Sequence, residues 1–229
     1  MPTIDLDITP LRELNQELHG LSEGINDAYF RVLNPRGRHA IAAGVHAPVT
    51  VEIDGNVGYY CAGMNQQATI LINGSAGVGV AENMMSGRVH VKGDASASAG
   101  ATGCGGLLVI DGNASSRCFI SARGIDIVVK GSVGHMSAFM AQAGRLVVLG
   151  DTGDALGDSV YEARIFVRGE AKSLGADCIE KKLREEHKCE LGKLLEDAGL
   201  EGEIDVSEFR RYGSARQLYH FHMDNLEAY

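Results

Sequence analysis

The chain has 229 residues, 45% hydrophobic and 22% charged, a balance that supports a packed core and argues against bulk disorder. Its net charge of −9 opposes phosphate backbones and anionic lipid, which makes nucleic acid and membrane poor partners. Thirty glycines and no tryptophan stand out: glycine is at about twice its usual ~7% share without excess proline, which means many backbone turns rather than collagen or linker.

The start of the chain, Met1 to Asp7, is acidic and lacks the basic opening and apolar run of a signal peptide, and no stretch nears the ~20 apolar residues of a membrane span. Thr9-Pro10 opens a helix, Leu11, Leu14 and Leu18 form its apolar stripe, and Gly20 can close it. Residues 29–33 read as a leading strand out of phase with the later strands. Residues 1–44 are therefore expected to be a helix and capping segment.

From residue 45 to 176 the chain repeats. Glycine stands at 55, 74, 93, 112, 131, 150 and 169, every step being 19 residues. Four and two places before each glycine stand Val51 and Ile53, Ile70 and Ile72, Val89 and Val91, Leu108 and Ile110, Ile127 and Val129, Leu146 and Val148, and Ile165 and Val167. All are aliphatic, whereas the residue just before the glycine is polar in six of the seven repeats. This alternation is a strand with one buried face. Nineteen residues leave no room for a helix between strands, so each coil can only stack on the next, ~4.8 Å away. The expected fold is all-β: a right-handed, single-stranded parallel β-helix of about seven coils. Small residues such as Ala95-Ser96-Ala97-Ser98-Ala99 fit the narrow corners. The polar residue after each glycine, Asn56 to Glu170, suits a turn.

One strand position, three before each glycine, should face outward yet holds Leu71, Val109, Val128, Val147 and Phe166 beside Glu52 and His90. A contiguous apolar strip on a rod is normally covered, here by the terminal arms or by another subunit. The outward position five before each glycine holds Thr50, Thr69, Arg88, Leu107, Asp126, Arg145 and Arg164, weakly basic and not evidently a cleft.

Residues 177–229 read as a C-terminal helical arm and tail. Residues 178–198 are charged and helical, with Ile179, Leu183, Leu191, Leu194 and Leu195 as their apolar members. A second short helix, capped by Ser207, comes next. Phe209, Tyr212, Tyr219 and Phe221 concentrate aromatics in the tail, which either folds back on the rod or docks on a partner.

Signatures of catalysis do not assemble. Gly103-Cys104-Gly105-Gly106 fails as a nucleotide loop, since Leu108 stands where the last glycine belongs. Cys61 and Cys118 share a repeat position three coils apart, too far for a disulfide or a common metal. The five scattered cysteines read as reduced thiols of a cytoplasmic protein. His220-x-His222 lacks a third ligand, His135 and Asp154 can pair across one coil, and Asp154 with Asp158 can hold a cation only weakly. No catalytic, cofactor-binding or metal-ligating residue is assigned.

Gly55-x-x-Gly58-Tyr59-Tyr60-Cys61-Ala62-Gly63, Gly74-x-x-Gly77-x-Gly79, Ala81-Glu82-Asn83-Met84-Met85-Ser86-Gly87 and Gly150-Asp151-x-Gly153-Asp154-x-Leu156-Gly157 resemble the GXGXG domain. That domain is the C-terminal β-helix of the glutamate synthase large subunit, and the match covers about residues 40–176. With Thr9-Pro10-Leu11-Arg12-Glu13-Leu14-Asn15 and Arg211-Tyr212-Gly213-Ser214-Ala215-Arg216, the whole chain resembles stand-alone forms of it, such as the β-helix subunit of N-methylglutamate synthases. The resemblance implies a non-catalytic subunit paired with a glutaminase-like amidotransferase subunit and an FMN-containing synthase subunit. FMN, and any iron–sulfur cluster, then belong to the synthase partner. The implied reaction joins methylamine and L-glutamate into N-methyl-L-glutamate and ammonia. Two other readings stand beside it: the equivalent subunit of a glutamate synthase or other amidotransferase complex, and a self-sufficient β-helix enzyme acting on polysaccharide.

Overall fold

A computed structural model describes residues 2–22, 24 and 28–216; Tyr219, His220, Phe221 and His222 lie outside them. Its frame is one sheet of eleven strands. Nine run parallel in chain order: β1 (Thr3–Asp5), β2 (Tyr29–Leu33), β3 (Thr50–Asp54), β4 (Thr69–Ile72), β5 (Arg88–Val91), β6 (Leu107–Ile110), β7 (Arg123–Val129), β8 (Ala143–Val148) and β9 (Arg164–Val167). From β3 to β9 the register follows the glycine period: Val51 pairs with Ile70, then come Val89, Leu108, Ile127, Leu146 and Ile165. This column and the one from Ile53 to Val167 are buried without a break. A second line of parallel bridges joins Val57, Ala76, Ala95, Ala114, Val133, Thr152 and Ala171 on another side of the rod. The β-helix of about seven coils is thus the architecture of the chain.

The coil glycines do more than turn the chain. Gly74, Gly93, Gly112, Gly131, Gly150 and Gly169 do not have positive φ. A Cβ there would instead collide with the glycine one coil below; at Gly131 it would lie 2.7 Å from the Gly112 carbonyl oxygen. Close stacking is what excludes a side chain. The polar residues after them form a matching ladder, each side-chain oxygen accepting the amide of its counterpart in the next coil. Ser75 N–H donates to Asn56 Oδ1 at 2.8 Å, Asn113 to Asp94 Oδ1 at 2.7 Å, Ser132 to Asn113 Oδ1 at 2.9 Å and Glu170 to Asp151 Oδ1 at 2.8 Å. These oxygens bridge coils rather than close local turns.

A corner of each coil has no sequence signature. Alternate residues there, such as Tyr60, Ala62 and Met64 or Met136, Ala138 and Met140, are left-handed with φ of 54–61° although none is glycine. The alternation points successive amides at opposite neighbours. Tyr60 N–H donates to Val78 O at 2.9 Å and Met64 N–H to Glu82 O at 2.8 Å, while Ala62 N–H donates the other way to Ile41 O at 3.0 Å. A left-handed L-residue costs about 1–2 kcal/mol. The hydrogen bonds gained would otherwise be unmade in a buried wall.

At the N-terminal end, α1 (Leu11–His19) buries Leu14 and Leu18 against the first coil. Strand β2 is out of the sequence period yet in the ladder: Phe30 pairs with Val51, a step of 21, so two extra residues are accommodated between the strands.

The C-terminal end differs from expectation. Residues 178–198 are not one helix: β10 (Cys178–Lys181) precedes α2 (Glu185–Asp197). The short turn of 3-10 helix at Val206–Glu208 is capped by Asp205, whose carboxylate accepts from Ser207 N–H, rather than by Ser207. Strand β11 (Arg210–Ser214) then inserts between β9 and β10, antiparallel to both. Two antiparallel strands thereby end a parallel stack that would otherwise leave its last coil open.

The apolar strip is covered from within. Val109, Val128, Val147 and Phe166 are fully buried beneath Leu191, Leu194 and Leu195 of α2, together with Ala198, Leu200 and Phe209. Burying each such side chain contributes roughly 1.5–3 kcal/mol, so this second core fixes the arm. These residues are internal to the chain, beneath α2. Phe209 belongs to the same cluster and Tyr212 to the main core, while Leu71, near the other end of the strip, stays half-buried.

Candidate functional site

Folding the arm against the rod creates a groove of about 710 Å³. One wall is the outward column five before the coil glycines, at its C-terminal end: Asp126, Arg145 and Arg164 open the regular parts of β7, β8 and β9 one coil apart. The rest of the lining comes from residues much later in the chain: Arg211 and Ser214 on β11 and Lys181 on β10, which continue the same sheet past β9, together with Glu190 on α2 and Arg216 beyond β11. The column that reads in sequence as weakly basic and without a cleft is therefore half of one. The other half could not be seen because it depends on how β11 returns beside β9. The sequence does carry a faint signal of it, the run Arg210-Arg211 after an otherwise acidic helix.

The charges in the groove are unevenly matched. Arg145 Nε donates to Asp126 Oδ1 at 2.7 Å, and a second bond to Asp126 Oδ2 makes the pair two-pronged. Asp126, joined by Glu190, holds the Arg145 guanidinium above its ordinary pKa. Arg164 Nη1 lies 2.7 Å from both oxygens of Glu190. Arg216 pairs with Asp177. Lys181 and Arg211 have no carboxylate within ion-pair distance among the described residues. Arg211 Nε donates to the Lys182 carbonyl at 3.3 Å. Burial, then the nearby Arg164 and Arg184, push the Arg211 pKa down.

The other candidate residues are spread out. Asp154 turns to Lys172 Nζ at 2.8 Å and Ser173 Oγ at 3.2 Å in the next coil, so its hydrogen bonds are not to His135. Asp158 accepts from Ser159 Oγ at 2.8 Å and from Ala176 N–H at 3.3 Å. Among the described residues no group of three or more His, Cys, Asp or Glu is placed to hold a metal ion. Burial pushes the Cys61 and Cys118 thiols up to about 12, which makes them inert at neutral pH. Gly103-Cys104-Gly105-Gly106 is a coil corner, with Gly106 at φ 83° and Cys104 N–H donating to Met84 O at 2.7 Å. No helix of the described residues is long and apolar enough to cross a membrane.

No family model matches the chain. A curated relative does: Protein GlxC of Rhizobium meliloti (strain 1021) is 63% identical over 229 residues, covering 100% of both chains.

Proposed function

The chain belongs to the family of Protein GlxC, and from that premise we propose that it is a non-catalytic β-helix subunit of a glutamate-synthase-like enzyme. The reaction proposed for the assembly is the formation of N-methyl-L-glutamate and ammonia from methylamine and L-glutamate. A glutaminase-like subunit and an FMN-containing synthase subunit would carry the chemistry, with FMN and any iron–sulfur cluster held in the latter. The observation that carries this reading is the unbroken stack of seven coil glycines at 19-residue steps, four of which (Gly55, Gly74, Gly131 and Gly150) open a G-x-x-G element of the kind on which the resemblance to the GXGXG domain rests. A single-sheet rod locked coil by coil is stiff, and stiffness is what a spacer between two catalytic subunits requires.

Since α2 covers Val109, Val128, Val147 and Phe166, the surfaces proposed for partners are the outer face of the arm, Leu71, and the exposed corner residues Tyr59, Met64 and Met85. Methionine and tyrosine are favoured at such interfaces. The test is co-expression of the chain with its FMN-binding and glutaminase-like partners, size-exclusion chromatography, and assay with methylamine or ammonia as acceptor. A co-eluting complex that loses activity without this chain supports the reading, and the preferred acceptor separates an N-methylglutamate synthase from a glutamate synthase. A partner pair fully active without this chain, or a chain that never co-elutes, contradicts it.

A further inference from the structure

We propose that the groove between the rod and the arm is a binding site for the oxyanion group, carboxylate or phosphate, of a small acidic molecule. Its carriers are Lys181 and Arg211, with Arg164 beside them. Lys181 and Arg211 stand directly opposite one another on antiparallel β10 and β11. Side chains opposite one another across such a pair project to the same face with Cβ atoms about 5 Å apart, and like charges in that position are destabilising. The protein nevertheless keeps two cations there, with Arg164, paired to Glu190, on the adjoining strand β9.

Carboxylates are available in the groove but are used elsewhere. Asp126 and Glu190 hold Arg145 and Arg164, and Asp177 holds Arg216. The charged side chains that line the groove, together with Asp177 that pairs with Arg216, are five cations (Arg145, Arg164, Lys181, Arg211, Arg216) and four anions (Asp126, Glu162, Glu190, Asp177), a balance of +1 in a chain whose total is −9. A guanidinium and an ammonium on one face, with no carboxylate partner among the described residues and partly withdrawn from water, are completed by one incoming oxyanion. The guanidinium can bind it with two parallel N–H donors. The volume of about 710 Å³ is that of a small-molecule cleft. The ion pairs around the site set its selectivity: with Arg145 and Arg164 already neutralised, one anionic group is accommodated rather than a polyanion such as nucleic acid. The groove is built by this chain alone, so its ligand does not depend on the identity of the enzyme complex.

The experiment is titration of the full chain, at low ionic strength, with inorganic phosphate and separately with succinate, followed by calorimetry and by the shift of the unfolding temperature. Saturable binding of at least one probe is expected, weakened by added salt. Phosphate alone assigns a phosphoryl ligand and succinate alone a carboxylate ligand. Arg211→Gln and Lys181→Gln should each weaken binding at least about tenfold, the loss of one charge-assisted contact. Arg31→Gln, at the far end of the rod where the side chain pairs with Asp54, should leave it unchanged. Lys181 lies on the edge strand, so Lys181→Gln decides the matter if Arg211→Gln does not fold. Failure of both probes to saturate the parent chain, or equal binding by parent and Lys181→Gln, overturns the proposal.

Discussion

Replacing one coil glycine by alanine puts the stacking argument to a numerical test. At Gly131 the new methyl carbon would lie 2.5 Å from Asn113 Oδ1, 2.7 Å from Gly112 O and 2.9 Å from Gly112 C. Ordinary contact begins near 3.4 Å, so the coil must lift by about 0.7 Å (3.4 − 2.7) to clear the backbone. The bonds Gly131 N–H to Gly112 O at 3.0 Å and Ser132 N–H to Asn113 Oδ1 at 2.9 Å would stretch past useful length. Two lost hydrogen bonds cost about 1 kcal/mol each, and local overpacking about 1–3 more. Gly131→Ala should therefore destabilise by about 3–5 kcal/mol in urea unfolding followed by far-UV circular dichroism. Gly192 in α2 is the matched control, since its only near neighbour is Val206 Cγ1 at 3.8 Å and a methyl fits. Gly192→Ala should stabilise by about 0.5–1 kcal/mol through helix propensity. A Gly131→Ala protein within about 0.5 kcal/mol of the parent would refute the close-stacking account.

The left-handed corner gives the opposite sign: Arg117, exposed at φ 59°, should gain about 0.5–1 kcal/mol when replaced by glycine, relief of αL strain less the extra freedom of the unfolded chain, read as a raised midpoint. Leu191→Ala in the arm core should cost about 2–4 kcal/mol and expose residues 183–209 to protease, because a fully buried side chain is removed from the cluster that joins the arm to the rod. For pH, burial outweighs the 2.9 Å bond to Asp111 and holds His90 below its usual 6.5. The unfolded chain then takes up the proton first, so this contribution is full above pH ~6.5 and declines as pH falls below it. Burial alone would raise Asp111, but Lys130 and His90 outweigh it and leave the carboxyl below the ordinary 3.8, adding a loss only in stronger acid. His90→Asn should flatten the decline between about pH 6.5 and 5 in thermal-melt profiles, and an unchanged slope would remove His90 from the explanation.

How far the fold was legible depends on which forces leave a periodic mark. Stacked aliphatic columns and close-packed glycines recur every 19 residues, so the coils from Val51 to Val167 could be read directly. The left-handed corner residues could not, because Tyr60, Ala62 and Met64 are held there by bonds to neighbouring coils rather than by intrinsic preference. The arm showed its apolar residues but not its path. Leu191, Leu194 and Leu195 match the strip that needed cover, yet nothing local says that Arg210 to Ser214 will return between β9 and β10. For the same reason the groove was only half legible: Arg145 and Arg164 were visible as a column, whereas Lys181 and Arg211 join them beside β9 only after that return.

Excising one whole coil tests the central claim, that equal coils in one register make the rod, most directly. Removal of residues 74–92 joins Asn73 to Gly93 and restores every column one step shorter; removal of residues 74–83 joins Asn73 to Met84 and breaks them all. Stability in a stacked array is close to a sum over repeats and their interfaces. The full-coil deletion should keep its β-sheet spectrum and a cooperative, modestly lower melting transition, while the partial deletion should not fold. An unfolded full-coil deletion, or equal tolerance of both, would contradict the account.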